Sequence, residues 1–212
     1  MKDIIILGTG VHSAEMAEII NRINQIQPTW NLLGLVADRD YDKVALFYDY
    51  PVLGGSVVLD QHPDSYLIAN NEWTGKHLLP RERLATLIDP STVVLKSAVI
   101  GPGCVIYPHC FIGHHAVIGR GVFMLAGSIV NHDDVIGDYC AITSGVTLAG
   151  SVTVGEGCYL GQACTVRQKL TIGSNSILGM GSVVVKDVAP DSVMAGNPAR
   201  LLRVNNRPAI IR

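Results

Sequence analysis

Apolar positions in this chain follow two different periods, and the change falls near residue 90. Before it, short apolar runs alternate with a helical repeat. Ile4-Ile5-Ile6-Leu7 reads as a buried strand, and Gly8-Thr9-Gly10 supplies the turn that ends it. Met16, Ile19, Ile20 and Ile23 recur at i, i+3, i+4 and i+7, which predicts an amphipathic helix with Ser13 as its cap. Leu32 to Ala37 is a second strand ending at Asp38, and Tyr66 to Ala69 a third ending at Asn70-Asn71. A further helix is predicted from about Glu72 to Leu84, with Pro80 as a candidate break. Strands alternating with helices predict a small parallel α/β sheet over residues 1–88.

From Val94 onward every sixth residue is apolar, from Val94, Ile100 and Ile106 through to Leu178 and Val184. For a chosen phase, chance gives roughly one such run in 10⁵. Glycine follows the apolar residue in eight of the sixteen hexads, as at Ile100-Gly101 and Ile172-Gly173. Six fits neither a helix nor an alternating strand. It fits a β-solenoid in which each hexad is one short strand and a corner, so residues 89–212 are expected to form a second domain.

The five cysteines, Cys104, Cys110, Cys140, Cys158 and Cys164, all stand four places after the apolar residue, a slot shared with alanine, serine and valine. They read as small buried side chains rather than nucleophiles or disulfide partners. Asp134 falls in the same inward slot, where it could accept backbone hydrogen bonds or buttress its neighbours.

The hexad run resembles that of the left-handed β-helix acyltransferases, which implies three hexads to a triangular coil; with eighteen residues to a coil, one column runs His114, His132, Gly150, Gln168, Lys186. The next runs His115, Asp133, Ser151, Lys169, Asp187. An imidazole thus lies beside a carboxylate, with a glycine one coil above. A base, an acid to orient it and an accessible N–H are the parts acyl transfer requires. His109 and His114 raise a zinc site of the β-helix carbonic-anhydrase kind. They lie on different columns, and no third ligand is evident.

Segment 94–188 resembles the hexapeptide repeat of left-handed β-helix acyltransferases, and Ala195-Gly196-Asn197-Pro198-Ala199 resembles their usual ending. Val130-Asn131-His132-Asp133-Asp134-Val135-Ile136-Gly137-Asp138 resembles the signature of the NeuD/PglD type of bacterial sugar acetyltransferase. The resemblance implies an α/β Rossmann-like subdomain followed by a left-handed parallel β-helix. Sixteen hexads then give roughly five and a third coils, standing about 25 Å tall at about 4.8 Å per coil. It further implies His132 as general base, Asp133 as its orienting partner and Gly150 as donor of a backbone N–H to the acetyl carbonyl. Gln162 and Met180 match positions where acetyl-CoA lies between adjacent subunits of a homotrimer. In the first domain Gly10, His12, Asp38 and Asn70 match residues that surround a nucleotide sugar. Where some members carry a second histidine near the acetyl group, this chain has Ala141.

The implied activity is acetyl-CoA-dependent N-acetylation of a nucleotide-linked amino sugar in bacterial glycan biosynthesis, with a UDP-linked 4-amino-4,6-dideoxy sugar expected and no metal. O-acetylation of a sugar such as sialic acid is the alternative with the same machinery. A zinc-binding carbonic-anhydrase-like trimer is the alternative of another class. Composition narrows the field further. Sixteen Lys and Arg against eighteen Asp and Glu leave a net charge of −2, which argues against nucleic acid as partner. No apolar run reaches the roughly 18 residues of a membrane span, and the opening run is too short for a signal peptide. The expected protein is soluble and cytoplasmic.

Overall fold

The computed structural model describes residues 1–37 and 45–206. Contacts divide the chain into two compact units, Met1–Pro90 and Ser91–Arg212.

In the first unit β1 (Lys2–Leu7) leads through α1 (Val11–Ile26) to β2 (Trp30–Ala37). A hairpin of β3 (Leu46–Phe47) and β4 (Tyr50–Gly55) follows, and then β5 (Tyr66–Ala69). The strands lie in the order β3-β4-β2-β1-β5, parallel except within the hairpin. β1 is central, so both of its faces are covered and Ile4 to Leu7 are all fully buried. Met16, Ile19 and Ile20 form the buried stripe of α1, as their spacing predicts.

Two expectations need correction. Ser13 does not cap α1: the helix starts one turn earlier, with Gly10 at the N-cap. The predicted helix from Glu72 to Leu84 is replaced by two single 3-10 turns, Lys76–Leu78 and Arg81–Arg83. Gly75 has φ 78, and Pro80, in extended conformation, separates the turns. Either residue stops a helix, the proline because its ring displaces the preceding turn. The segment is still anchored, because Trp73 and Leu79 pack with Ile5, Leu7, Val36 and Leu67.

In the second unit sixteen two-residue strands run from Val93–Val94 to Val183–Val184, one per hexad. Each pairs in parallel with the strands eighteen residues away, as Ile112 does with Val94 and Val130. Three sheets result, and they are the faces of a left-handed β-helix. The repeating apolar residue is the second of each strand and points inward: Ile112, Val130, Leu148 and Val166 are fully buried. Coils stack so closely that a Cβ on Gly137 would come within 2.5 Å of the Glu156 nitrogen, which explains glycine after the apolar position. All five cysteines are buried in the corner slot. Burial pushes the thiols of Cys104 and Cys164 up to about 12, so neither is a thiolate at neutral pH. A hairpin of Ser192–Gly196 and Ala199–Val204 closes the coil.

Candidate active site

The corner Asn131–Asp134 follows the strand Ile129–Val130. Asp133 occupies its left-handed position with φ 60, a conformation aspartate tolerates better than most residues. This turns the carboxylate back on its neighbour: His132 Nδ1 lies 2.8 Å from Asp133 Oδ2. An Nδ1–H donated to that carboxylate leaves Nε2 with its lone pair, the tautomer a base needs. Both side chains face solvent, His132 64% and Asp133 54% exposed, so the ring is open to an incoming substrate.

Gly150 stands one coil above. Ser151 N–H donates to His132 O at 2.9 Å, which stacks the two corners. Gly150 has φ +100, and a Cβ there would lie 2.8 Å from His132 Nε2. Only glycine keeps the space over Nε2 open. The Gly150 carbonyl accepts from Lys169 N–H at 3.1 Å, while its own N–H bonds to none of the described residues. His132, Asp133 and Gly150 are therefore brought together.

Beneath them lies Asp134, fully buried. Its Oδ2 accepts from Asn131 N–H at 2.7 Å and its Oδ1 from Val152 N–H at 2.8 Å. Burial pushes its carboxyl up to about 6, against the pull of these two donors and of His132. Asn131, which the sequence reading does not single out, gives its side-chain amide to Leu148 O at 2.5 Å. Its only sequence signal is an asparagine where half of the hexads have glycine.

Gln162 and Met180 are not on this edge. Gly181 N–H donates to Gln162 O at 2.8 Å, so the two stack in a column of their own at another corner of the coil. Met180 is 73% exposed. Ala141 is a buried strand residue. His114 Nδ1 lies 2.9 Å from Ser97 Oγ. Among the described residues no group of three or more His, Cys, Asp or Glu side chains is placed to hold a metal.

In the first unit the carboxyl ends of β1, β2 and β5 meet around the Gly8 turn. Gly8 N–H donates to Val36 O and Asn70 N–H to Leu7 O. Asn70 is 2% exposed, and its amide is engaged at both ends. Nδ2 donates to Ser13 Oγ at 3.0 Å, and Oδ1 accepts from Glu72 N–H at 3.0 Å. Its side chain packs under Gly8, where a Cβ would meet Asn70 Nδ2 at 2.2 Å. Gly10 lies beside Glu72, which the sequence reading names only as the start of a helix: a Cβ on Gly10 would be 3.2 Å from Glu72 Oε2. His12 Nδ1 is 2.9 Å from Glu15 Oε2. Asp38 lies outside the described residues.

No protein-family model matches the chain, and no curated protein is similar enough to match it. Solved structures do match. The GDP-perosamine N-acetyltransferase of Caulobacter crescentus, in complex with CoA and GDP-perosamine, superposes with a TM-score of 0.85 at 26% identity. That match covers 96% of this chain and 98% of the other. The acetyltransferase domain of PglB from Neisseria gonorrhoeae, in complex with acetyl coenzyme A, gives 0.80 at 26% identity over 95% and 99% of the two chains. WeeI from Acinetobacter baumannii shares the fold, with a TM-score of 0.62 at 21% identity over 95% of this chain and 100% of that one. The likeness runs through the α/β unit and the coil alike, so this chain shares the whole two-unit build of these acetyltransferases, its coil being the left-handed β-helix of the acyltransferases.

Proposed function

We propose that this chain moves the acetyl group of acetyl-CoA onto the amine of a nucleotide-linked amino sugar, with His132 as general base. The observation that carries the reading is the open space over His132 Nε2, bounded by the Gly150 backbone and backed at Nδ1 by Asp133. An amine entering that space attacks the thioester carbonyl while Nε2 takes its proton. Negative charge then gathers on the carbonyl oxygen, and the Gly150 N–H is the donor proposed to stabilise it. Collapse of the tetrahedral species expels the CoA thiolate, which the imidazolium can protonate. No covalent enzyme intermediate is needed.

The α/β unit holds the acceptor. Its Gly8-Thr9-Gly10 turn at the start of α1 lies at the carboxyl ends of parallel strands, where such sheets receive phosphates. Gly10, His12 and Asp38 are the proposed contacts, and the buried Asn70 shapes the turn beneath them. A UDP-linked 4-amino-4,6-dideoxy sugar is the first candidate. A GDP-linked amino sugar is the second, favoured by the GDP-perosamine bound in the Caulobacter relative.

Gln162 and Met180 stand on a different edge from His132, so a site that uses all three takes them from two chains. A homotrimer with three equivalent sites between neighbouring coils satisfies this.

The test is thiol release from acetyl-CoA with UDP-, GDP- and dTDP-linked amino sugars, their hydroxy analogues and free amino sugars. Turnover with a nucleotide-linked amine, lost in His132→Ala, is the expected result. Faster turnover with a hydroxyl acceptor would replace N- by O-acetylation. No thiol release with any acceptor would remove the reading.

A further inference from the structure

One hydrogen-bonding rule holds along the coil. The N–H after each inward apolar residue donates to the apolar residue one coil on, as Gly113 does to Val130 O at 2.8 Å and Ala149 to Val166 O at 3.1 Å. At some corners the N–H of the buried slot also turns back three residues, as Ala116 does to Gly113 O and Val146 to Thr143 O. The rule changes at the histidine corner. The Asn131 side-chain amide takes the Leu148 carbonyl, and the Asn131 backbone N–H goes to Asp134 Oδ2 instead. One coil on, Val152 N–H goes to Asp134 Oδ1. The flanking slots hold Ser128 and Cys140, whose side chains donate to Thr143 O and Gly155 O, whereas Asp134 accepts.

We infer that Asp134 is a positioning residue for acetyl transfer: its carboxylate ties the corner carrying His132 and Asp133 to the corner carrying Gly150, with Asn131 completing the tie. The inference rests on the reading of His132 as the base. Two observations support it. The tied residues flank the proposed machinery, Asn131 directly before His132 and Val152 two places after Gly150. A buried carboxylate is also a costly filler for a slot that serine and cysteine occupy elsewhere in the same coil. With serine at 134, the Asn131 N–H could return to the Leu148 carbonyl, as its counterparts in other hexads do, and the Val152 N–H could turn back to the Ala149 carbonyl, as Ala116 does to Gly113 O.

The tie depends on ionisation. A carboxylate accepts at both oxygens, but the neutral acid points an O–H at one of the two N–H donors. His132 and Asp133 are the charged groups that act on it, the first favouring and the second opposing ionisation. With its carboxyl raised by burial to about 6, Asp134 is tied at neutral pH and released in mild acid.

The experiment compares Asp134→Ser and Asp134→Cys with the wild type in kcat, KM for acetyl-CoA and melting temperature at pH 7.5. Expected are a melting temperature at or above that of the wild type, a KM within threefold and a kcat at least tenfold lower. A kcat within twofold of wild type in a folded variant overturns the inference. A reading that needs no variant to fold follows the Asn131 and Val152 amide protons of the wild type by NMR. They should shift together in one step near pH 6, and signals that stay fixed or move separately overturn the tie. His132→Ala belongs in the same assay. Retained turnover there overturns the base reading and with it the catalytic consequence, while the amide titration still decides whether the tie exists.

Discussion

A side chain at position 150 and the imidazole of His132 cannot occupy the same space: a Cβ there would lie 2.8 Å from Nε2. The backbone adds a second constraint, since φ at Gly150 is +100, a region that side-chain-bearing residues rarely adopt. Gly150→Ala should therefore displace the ring and lower kcat by roughly 10²-fold or more, the loss expected when one oxyanion donor is misplaced. Calorimetry should still register acetyl-CoA binding. Near-normal kcat in a folded Gly150→Ala protein would rule out this glycine as the neighbour of the reacting carbonyl.

Asp133 and His132 make a single 2.8 Å contact, yet their losses should differ. His132→Ala removes the proton acceptor and should cost roughly 10²–10⁴ in kcat. Asp133→Asn keeps a group able to accept at Nδ1 and should cost less, because the residue orients the ring and takes no proton. Steady-state rates of the two purified variants decide it. Equal losses would make Asp133 part of the proton transfer.

Asp134 couples stability to pH in a definite direction. Its folded-state carboxyl is raised from 3.8 to about 6, so the folded chain holds this proton more tightly than the unfolded chain. The stabilisation is complete below about pH 4 and is lost as pH rises through about 6. From this group alone the fold should be less stable at pH 7.5 than at pH 4, by at most about 3 kcal/mol. Denaturant melts across this range should flatten in Asp134→Ser by that amount. An unchanged slope would mean that the carboxyl titrates near its ordinary value.

The placement of Gln162 and Met180 on another edge than His132 predicts complementation between chains. Light scattering should give three times the 22.7 kDa of one chain. Co-expressing a His132→Ala chain with a Met180→Asp chain should restore roughly a quarter of wild-type activity if each site takes one residue from each of two neighbours. No recovery from two folded, individually inactive variants would put both residues to work within one chain.

The coil was legible because its apolar residue recurs sixteen times at one period, so one register error would have thrown every apolar residue to the wrong face. The histidine corner was legible for a related reason: His132 and Asp133 are adjacent, and Gly150 follows from the eighteen-residue period. Features that rest on single long-range contacts were not. Ser13 resembles a helix cap, but its hydroxyl serves Asn70, 57 residues away. The β3–β4 hairpin turns on Tyr48 and Asp49, both with positive φ, where the sequence lacks the glycine that usually announces such a turn. The segment from Glu72 to Leu84 was expected to be a helix, yet Gly75 and Pro80 interrupt it, and Trp73 and Leu79 pack against the sheet core from irregular chain. The Asn131–Leu148 exchange left no period to read.

The acceptor should be recognised by a unit that takes no part in the chemistry. Gly8, Gly10 and the start of α1 gather where β1, β2 and β5 end, and the buried Asn70 fixes that turn through Ser13 and Glu72. A pyrophosphate suits the N-terminus of α1 there, and the Glu72 carboxylate beside Gly10 suits a ribose hydroxyl. Free nucleoside diphosphate should then compete with the acceptor and not with acetyl-CoA. Asp38→Ala should raise acceptor KM more than it lowers kcat, since it removes binding that is common to ground and transition states. Asn70→Ala should do the same by loosening the turn, with a loss of stability, because it strands the Glu72 N–H without its acceptor. Inhibition by UDP, GDP and dTDP, measured against both substrates, identifies the nucleotide. If none competes, and free amino sugars react as fast as nucleotide-linked ones, the α/β unit does not hold the acceptor.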